Sequence, residues 1–524
     1  MPDKFSIIKN TRPFSSAVVL FLSLSIVVYS IICLGASRIP FGGTLVLPID
    51  EPVRTSNPIY ASNPSEILLS GQLHETLLRV GKDGSYIPAL AQTVPEVSQD
   101  GYLVTIKLRP GLEFHDGSPV DAYALVSSWK NLLRADSESP YWWLLSDVKG
   151  SMEFHSGKST KISGLERVNS LTVRVRLKHH GDAVRSFFEA ISSLPTALMP
   201  TWKYRKGSTQ VAHPQGAGPF ALEPGIQDGK YVLMPFAKHW AGRPFVQKVI
   251  LRTIPNVKDR LLEFELGRLD AITDKPRRDL DKLKVLSGPF CRRFFLVFNE
   301  SRIKSFPAGF RQAVMDAIDR TALADYVAGS RGKAMDEFFL PADGYESTEI
   351  QHPAPMKAKA YFKNIAQQRF GISKLIQLIV RFDSLVDRTV AERIQVDLVD
   401  AGVVLVVVPL DEEQYQARLE SGDYDIRLEH MRPLVHSAQL QLIQIGDKVL
   451  GTGAVDDIVH WLDRLPESKS RSGIIRERAR SLTVNSSWVP LFRSRSRWYV
   501  HKDVHDFVID ENGFVNLAQV WLAE

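Results

Sequence analysis

The chain has 524 residues, 44% of them hydrophobic and 24% charged, with a formal net charge of +6. Such a composition is that of an ordinary globular protein with room for roughly three domains, and the basic excess is too mild to mark a nucleic-acid partner. Only two cysteines are present, Cys33 and Cys291, and Cys33 lies inside an apolar run, so an exported chain would have no intramolecular disulfide.

At the N-terminus, Lys4, Lys9 and Arg12 precede a charge-free run from Ala17 to Ala36, ending in the small residues Gly35, Ala36 and Ser37. Basic residues followed by an apolar stretch form an export signal. The run is longer than the roughly 7–15 residues of a cleaved signal core and close to the roughly 20 that span a bilayer. Residues 1–37 therefore read as a signal peptide, cleaved near Ser37, or as an N-terminal membrane anchor. The positive flank stays cytoplasmic, so everything after about Arg38 lies in the periplasm or cell envelope, tethered to the inner membrane if residues 17–36 are retained. Cys33 follows Ile32, where lipidation normally needs a small residue, and Cys291 reads as a buried small hydrophobe.

Residues Tyr102 to Leu108 alternate apolar and polar side chains, the period of a half-buried strand, and Arg109-Pro110-Gly111 stops it. Ser118, Pro119 and Asp121 then stand as N-cap, first-turn proline and capping-box acid of a helix. Its residues Leu125, Trp129, Leu132 and Leu133 fall on one stripe, and Phe114 to Gly117 read as a structural turn. Phe310, Ala313, Val314, Ala317 and Ile318 recur at helical spacing, with Asp319-Arg320 a solvated pair or a local cap. Further on, Val390, Ala391, Ile394 and Leu398 line a helix that Gly402 can end. Val403 to Val408 is then a continuous apolar run, the signature of a strand buried on both faces of a parallel sheet, closed by Pro409. A helix from about Glu412 to Glu420 and a strand opening at Tyr424-Asp425-Ile426 complete an α/β pattern.

Five phrases carry a resemblance over nearly the whole exported chain: Pro88-Ala89-Leu90-Ala91 with Phe114-His115-Asp116-Gly117, Gly216-Ala217-Gly218-Pro219-Phe220 with Pro200 upstream, Phe298-Asn299 through Arg311-Gln312-Ala313 to Ala317-Ile318-Asp319-Arg320, and Val489-Pro490-Leu491. Together they resemble the extracellular solute-binding proteins of family 5, the oligopeptide- and dipeptide-binding proteins of ABC importers. The resemblance implies an α/β fold of periplasmic-binding-protein type II-like form, with two main lobes joined by a hinge and an additional third subdomain. Carried over, residues 38–74, 196–288 and 487–524 form lobe one, 75–195 the additional lobe two, and 289–486 lobe three. It also implies a monomer that captures a peptide or peptide-like ligand between lobes and delivers it to an ABC permease in the inner membrane, without cofactor, metal or catalysis. An envelope-anchored sensor or scaffold that retains the fold without transport is the alternative class.

By the same resemblance the cleft is lined by Ser62, Asn63 and Pro64 and by the strand end that contains Glu429, His430, Met431 and Arg432. Peptide binders of this family carry an aspartate near that strand end, which pairs with the ligand's α-amino group. Here the position falls on Arg432 or Leu434, neither of which neutralises an ammonium. Either Glu429 takes over the role, or the ligand lacks a free amino terminus and presents a carboxylate or other anion to Arg432, whose guanidinium matches such groups bidentately. Val455-Asp456-Asp457-Ile458 also arrives early relative to the family, which places peptide specificity in question. Arg493, Arg495 and Arg497 alternate with Ser494 and Ser496, which on a strand puts three guanidinium groups on one face, solvated or docked to an anionic surface. His430 with His436, His179 with His180 and His501 with His505 lack the Cys or acidic partners of a metal set. No Gly-x-Ser-x-Gly elbow, phosphate loop or His-Glu-x-x-His motif supports an enzyme.

Overall fold

Alternation, capping and turn residues set the elements of this chain, which a computed structural model describes for residues 39–523 apart from 82, 194–214, 226–228, 278–279, 304–305, 308, 339–352, 368–375, 383, 433, 452, 467–470, 511–512 and 514. The expectations for the signal or anchor segment, for Cys33 and for Pro200, and for the side chain of Cys291, lie outside the described residues.

Strand β1 (Thr44–Ile49) buries Leu45, Leu47 and Ile49. Helix α1 (Pro64–Leu73) starts at the Asn63 cap with proline in its first turn. A hairpin of β2 (Leu78–Val80) and β3 (Tyr86–Pro88) leads to a small antiparallel sheet made of β4 (Glu96–Val97), β5 (Leu103–Lys107), β6 (Leu165–Arg167) and β7 (Thr172–Arg176). On it packs α2 (Ala122–Leu133), with Leu125, Trp129, Leu132 and Leu133 all buried, while α3 (Asp182–Ser193) packs against β2 and sets Phe187 edge-on to Trp129. The start of α2 differs from expectation. Asp121, whose carboxylate accepts the Ala124 N–H at 2.8 Å, is the cap, whereas Ser118 closes a turn by donating to Asp116. Strands β8 (Phe220–Leu222), β9 (Lys230–Pro235) and β10 (Lys248–Thr253) join β1 in the order β1-β10-β9-β8, with β1 and β10 parallel. Helix α4 (Val257–Glu265) and β11 (Ala271–Ile272) follow.

The remaining chain builds the largest sheet. It contributes β12 (Leu283–Phe298), α5 (Phe310–Ala317), α6 (Arg320–Ala328), β13 (Gly332–Ala334), β14 (Ile376–Arg381), α7 (Leu385–Asp400), β15 (Leu405–Leu410), α8 (Glu412–Ser421), β16 (Ile426–Met431), α9 (Ala438–Leu450), α10 (Gly453–Asp463), α11 (Arg471–Asn485) and β17 (Trp488–His501). The order is β11-β17-β12-β16-β14-β15, with β13 also on β17. β14 is parallel to β15 and β16, and α7 and α8 supply the crossovers that parallel pairing requires. The α/β class is therefore as expected. One strand is not. Val403–Val408 reads as buried on both faces, but the strand is Leu405–Leu410 at the sheet's edge, and Val404 is exposed. Pro409 sits inside it rather than closing it, which an edge position tolerates because the missing N–H can face away from a ladder. Asp319 caps α6, as the local-cap reading has it, but Arg320 is buried and paired with Asp336, not solvated.

Strand β12 separates two cores, because alternate side chains leave opposite faces of the sheet. Phe294, Leu296 and Phe298 pack with Phe310, Val390, Ile394 and Leu428. Phe295 and Val297 join a cluster that also holds Trp129, Phe187, Leu440 and Trp488. A third core, around Leu45, Leu69, Phe220 and Val249, takes in Val500 near the far end of β17. β12 and β17 thus run as a paired ribbon from the first sheet's core to the β16 side of the large sheet, with register shifts between Ser287 and Arg292 and between Phe294 and Phe295. None of the described helices is long and apolar enough to cross a membrane.

Candidate ligand-binding site

The first group of expected cleft residues forms a helix start. Asn63 Oδ1 accepts the Glu66 N–H at 2.8 Å, and Glu66 Oε2 accepts the N–H groups of Ser62 at 2.8 Å and Asn63 at 3.3 Å. This capping box consumes the polar groups of Asn63, while Pro64 supplies the fixed φ of the first turn. Glu66 is buried and also meets Arg54.

The second group lies at the end of β16, and its members differ in environment. Half-buried His430 packs edge-on against Phe294, with ring centroids 6.1 Å apart. Burial first, then the positive charges of Arg292, Arg381 and Arg432, hold its imidazole well below the usual histidine range, so it is neutral. Glu429 accepts the Tyr415 hydroxyl at 3.1 Å and lies 3.2 Å from Arg427 and 3.9 Å from Arg381. Arg381 in turn stacks over Tyr415 at 4.3 Å and pairs with Glu412 at 3.1 Å. Glu429 is thereby committed to neighbouring cations within its own sheet. Met431 is buried, and half-buried Arg432 donates to the Gly513 carbonyl at 3.4 Å. No group of three His, Cys, Asp or Glu able to hold a metal occurs among the described residues.

What connects β16 to the segment before α1 is a pair that the sequence reading missed, Asp50 and Glu51, immediately after β1. The Asp50 side chain keeps 59% of its surface exposed, yet its carboxyl is raised above the usual range. Desolvation is the largest cause, Arg260 opposes it, Asp274 adds to it, and Arg292 and Arg432 oppose it. A group open to water but crowded by protein on several sides is what a cleft wall produces. Glu51 is likewise raised, by desolvation and then by Glu412 across from it, against Arg381 and Arg54. Buried Arg260, held by the carbonyls of Ile254 and Pro255, bonds Asp274 at 2.7 Å and lies 3.3 Å from Asp50. The positive charges of Arg292 on β12, Arg381 on β14 and Arg432 just beyond β16 therefore act on the acids at the end of β1. No motif marks Asp50 and Glu51; only the ends of two sheets meeting in space reveal them.

The chain leaving β16 is fixed on its other side by residues of the 75–195 segment. Glu189 on α3 accepts the N–H groups of His436 and, at 2.7 Å, Ser437. Gln439 donates to Asp147 at 2.7 Å, Lys178 pairs with Asp463 at 2.7 Å, and Tyr141 donates its hydroxyl to the Ala61 carbonyl. Segments from before α1, from α3 and from after β16 thus converge around one place.

Comparison with known proteins fits this geometry. The model of the bacterial extracellular solute-binding proteins, family 5 (middle), matches residues 85–445. The chain is 22% identical over 386 residues to the nickel-binding periplasmic protein of Escherichia coli, covering 69% of this chain and 70% of that one. It is 24% identical over 298 residues to the periplasmic murein peptide-binding protein MppA of the same organism, covering 54% of each. A solved structure of MppA superposes with a TM-score of 0.75 at 17% identity, covering 93% of this chain and 100% of that one. The unliganded open form of MppA reaches only 0.59 at 18% identity, with 92% and 98% covered. These solved folds bear out the type II-like architecture expected from the sequence.

Proposed function

The chain belongs to the bacterial extracellular solute-binding proteins, family 5, and from that premise we propose that it is the envelope receptor of an ABC importer. It captures a peptide or peptide-like solute and hands it to a membrane permease, with binding as its whole activity. The lobes are residues 38–74 with 196–288 and 487–524, residues 75–195, and residues 289–486, and the solute lies between the end of β1 and the end of β16. The observation that carries this reading is the exposed pair Asp50 and Glu51 at the end of β1, on which the charges of Arg292, Arg381 and Arg432 act. Ligand contacts made only in the shut arrangement would shift an open–shut equilibrium toward it.

Leu434 is buried among apolar side chains and Glu429 is engaged with Arg427, so no acid there awaits an ammonium group. A solute with a blocked or absent amino terminus suits that end of β16. A thermal-shift screen of the purified protein with peptides bearing free and acetylated amino termini tests the reading. A ligand at 100 times its dissociation constant adds about 2.7 kcal/mol. Acetylated or other amine-free peptides are expected to raise the melting temperature more than their free counterparts. A screen in which no peptide of either kind shifts melting removes the peptide assignment.

A further inference from the structure

Among the described residues, buried Arg293 on β12 has no acidic partner. It is 1% exposed, and its hydrogen bonds go to neutral groups: Nη1 to the Phe338 carbonyl and Nη2 to Gln441 Oε1 at 3.1 Å. Its Nε has none. Among the described residues no carboxylate lies within ion-pair distance of Arg293, Arg493, Arg495, Arg497, Arg331 or Lys333. A buried cation ordinarily has a counter-charge, because desolvation otherwise outweighs what neutral hydrogen bonds return.

The register makes the imbalance sharper. Arg293 stands directly opposite Arg493 on β17, and Arg493 directly opposite Lys333 on β13, so three cations form one row on one face of three adjacent strands. Like charges in such positions repel. Burial first and then Arg493 lower the Arg293 guanidinium to about 9, and burial with Arg495 lowers that of Arg493. On the way out to solvent the row continues to exposed Arg495, and the guanidinium groups of Arg493 and Arg495 lie 4.9 and 4.4 Å from the Phe290 ring. On the other side, Arg293 is the cross-strand partner of Met431 at the end of β16.

We propose that this row is an oxyanion site, which takes a carboxylate or phosphate group between Arg293 Nε and the Arg493 guanidinium, with Arg495 at the solvent mouth. Planar guanidinium forks match both groups, and an anion placed there turns the repulsion along the row into attraction. Because the row abuts Met431, the oxyanion is either a group of the captured solute, in which case the site rests on the receptor reading, or a free ion bound beside the capture strand. The site accounts for a fully buried arginine that faces another arginine and meets no carboxylate among the described residues.

The test is a thermal-shift titration of the purified protein with inorganic phosphate and with peptides ending in a carboxylate or a carboxamide, at constant ionic strength held with sodium chloride. Saturable stabilisation by phosphate alone identifies a free ion, and preference for the carboxylate peptide over its carboxamide identifies a group of the solute. In either case R493Q is expected to weaken the response about tenfold or more, the usual effect of losing a hydrogen bond to a charged group. R293M is expected to abolish the response while melting no lower than wild type in chloride, because it removes an uncompensated buried charge. The site is overturned if neither phosphate nor the carboxylate adds anything beyond chloride, or if R493Q and R293M respond like wild type. Carboxamide peptides that bind while both anion responses fail would sink the oxyanion site and leave the receptor reading standing.

Discussion

Replacing Glu189 by alanine tests the contact that fixes the chain leaving β16. Glu189 is 6% exposed, and its carboxylate accepts the main-chain N–H groups of His436 and Ser437, while Ser437, the N-cap of α9, makes no side-chain cap bond itself. The cap of this helix is thus provided by α3, from a distant part of the sequence. Hydrogen bonds to a charged acceptor contribute about 1.5–3 kcal/mol each, and an anion near a helix N-terminus about 0.3–1 kcal/mol. Since water can enter the vacated space and the effects are not additive, E189A should destabilise the protein by about 3 kcal/mol. Urea unfolding followed by tryptophan fluorescence and far-ultraviolet dichroism measures this. A second substitution separates capping from packing. S437D places a carboxylate at the N-cap itself, so in the E189A background it should restore about 1 kcal/mol, whereas with Glu189 present it sets two carboxylates side by side and should destabilise. An E189A midpoint equal to wild type, or the same S437D effect in both backgrounds, would refute the reasoning.

Two buried ionisable groups predict the acid limb of stability. Burial alone would raise Glu75, but Arg79 and the bond with His239 outweigh it and bring the carboxyl down to about 2. Its folded value is below its unfolded one, so its contribution of about 3 kcal/mol is complete above about pH 4.5 and lost as pH falls toward 2; E75Q should flatten that part of a urea-midpoint profile. His74 is lowered to about 3, by burial and secondarily by His115, against the Ser56 carbonyl that raises it. It is neutral when folded and takes up a proton on unfolding, so stability should fall by up to about 1.4 kcal/mol per pH unit from about 6.5 to about 3. H74Q should remove that slope, and a pH profile unchanged by H74Q would count against it.

Helix faces were legible in the sequence wherever one stripe met one core. The stripes of α2, α5 and α7 are buried at the residues their spacing indicates, because a 3.6-residue period puts those side chains on one face. Misreadings arose where tertiary order decides. Val403–Val408 has the composition of a central strand, and only the sheet order makes it an edge. That Asn63 starts a helix was also legible, because Asn63 with Glu66 has the capping-box spacing. Asp50, Glu51 and Arg293 carry no motif at all. Arg293 becomes buried only because β16 and β17 close on both sides of β12.

Two of the family phrases, far apart in sequence, prove to be one structural joint, and this gives a prediction that can be argued from distances. The turn Phe114 to Gly117 is structural, as expected. The His115 ring lies 3.1 Å from the Gly218 carbonyl and accepts the Gly216 N–H at 3.3 Å, while Gly218 donates its N–H to Leu73 at 3.0 Å. The glycine phrase is therefore clamped between His115 and the C-terminal end of α1. A Cβ on Gly216 would fall 1.8 Å from the Leu73 carbonyl oxygen and 2.8 Å from His74 Nδ1. Neither can withdraw, because the carbonyl belongs to the helix end and His74 is fixed to Ser56. G216A should thus cost more than about 3 kcal/mol, in the range of severe core strain. At Gly242 a Cβ meets nothing within 4 Å and only the positive φ of 95° is unfavourable, so G242A should cost about 1 kcal/mol. Equal urea midpoints for the two variants would mean that the joint yields, and that the glycines are there for backbone freedom rather than for close approach.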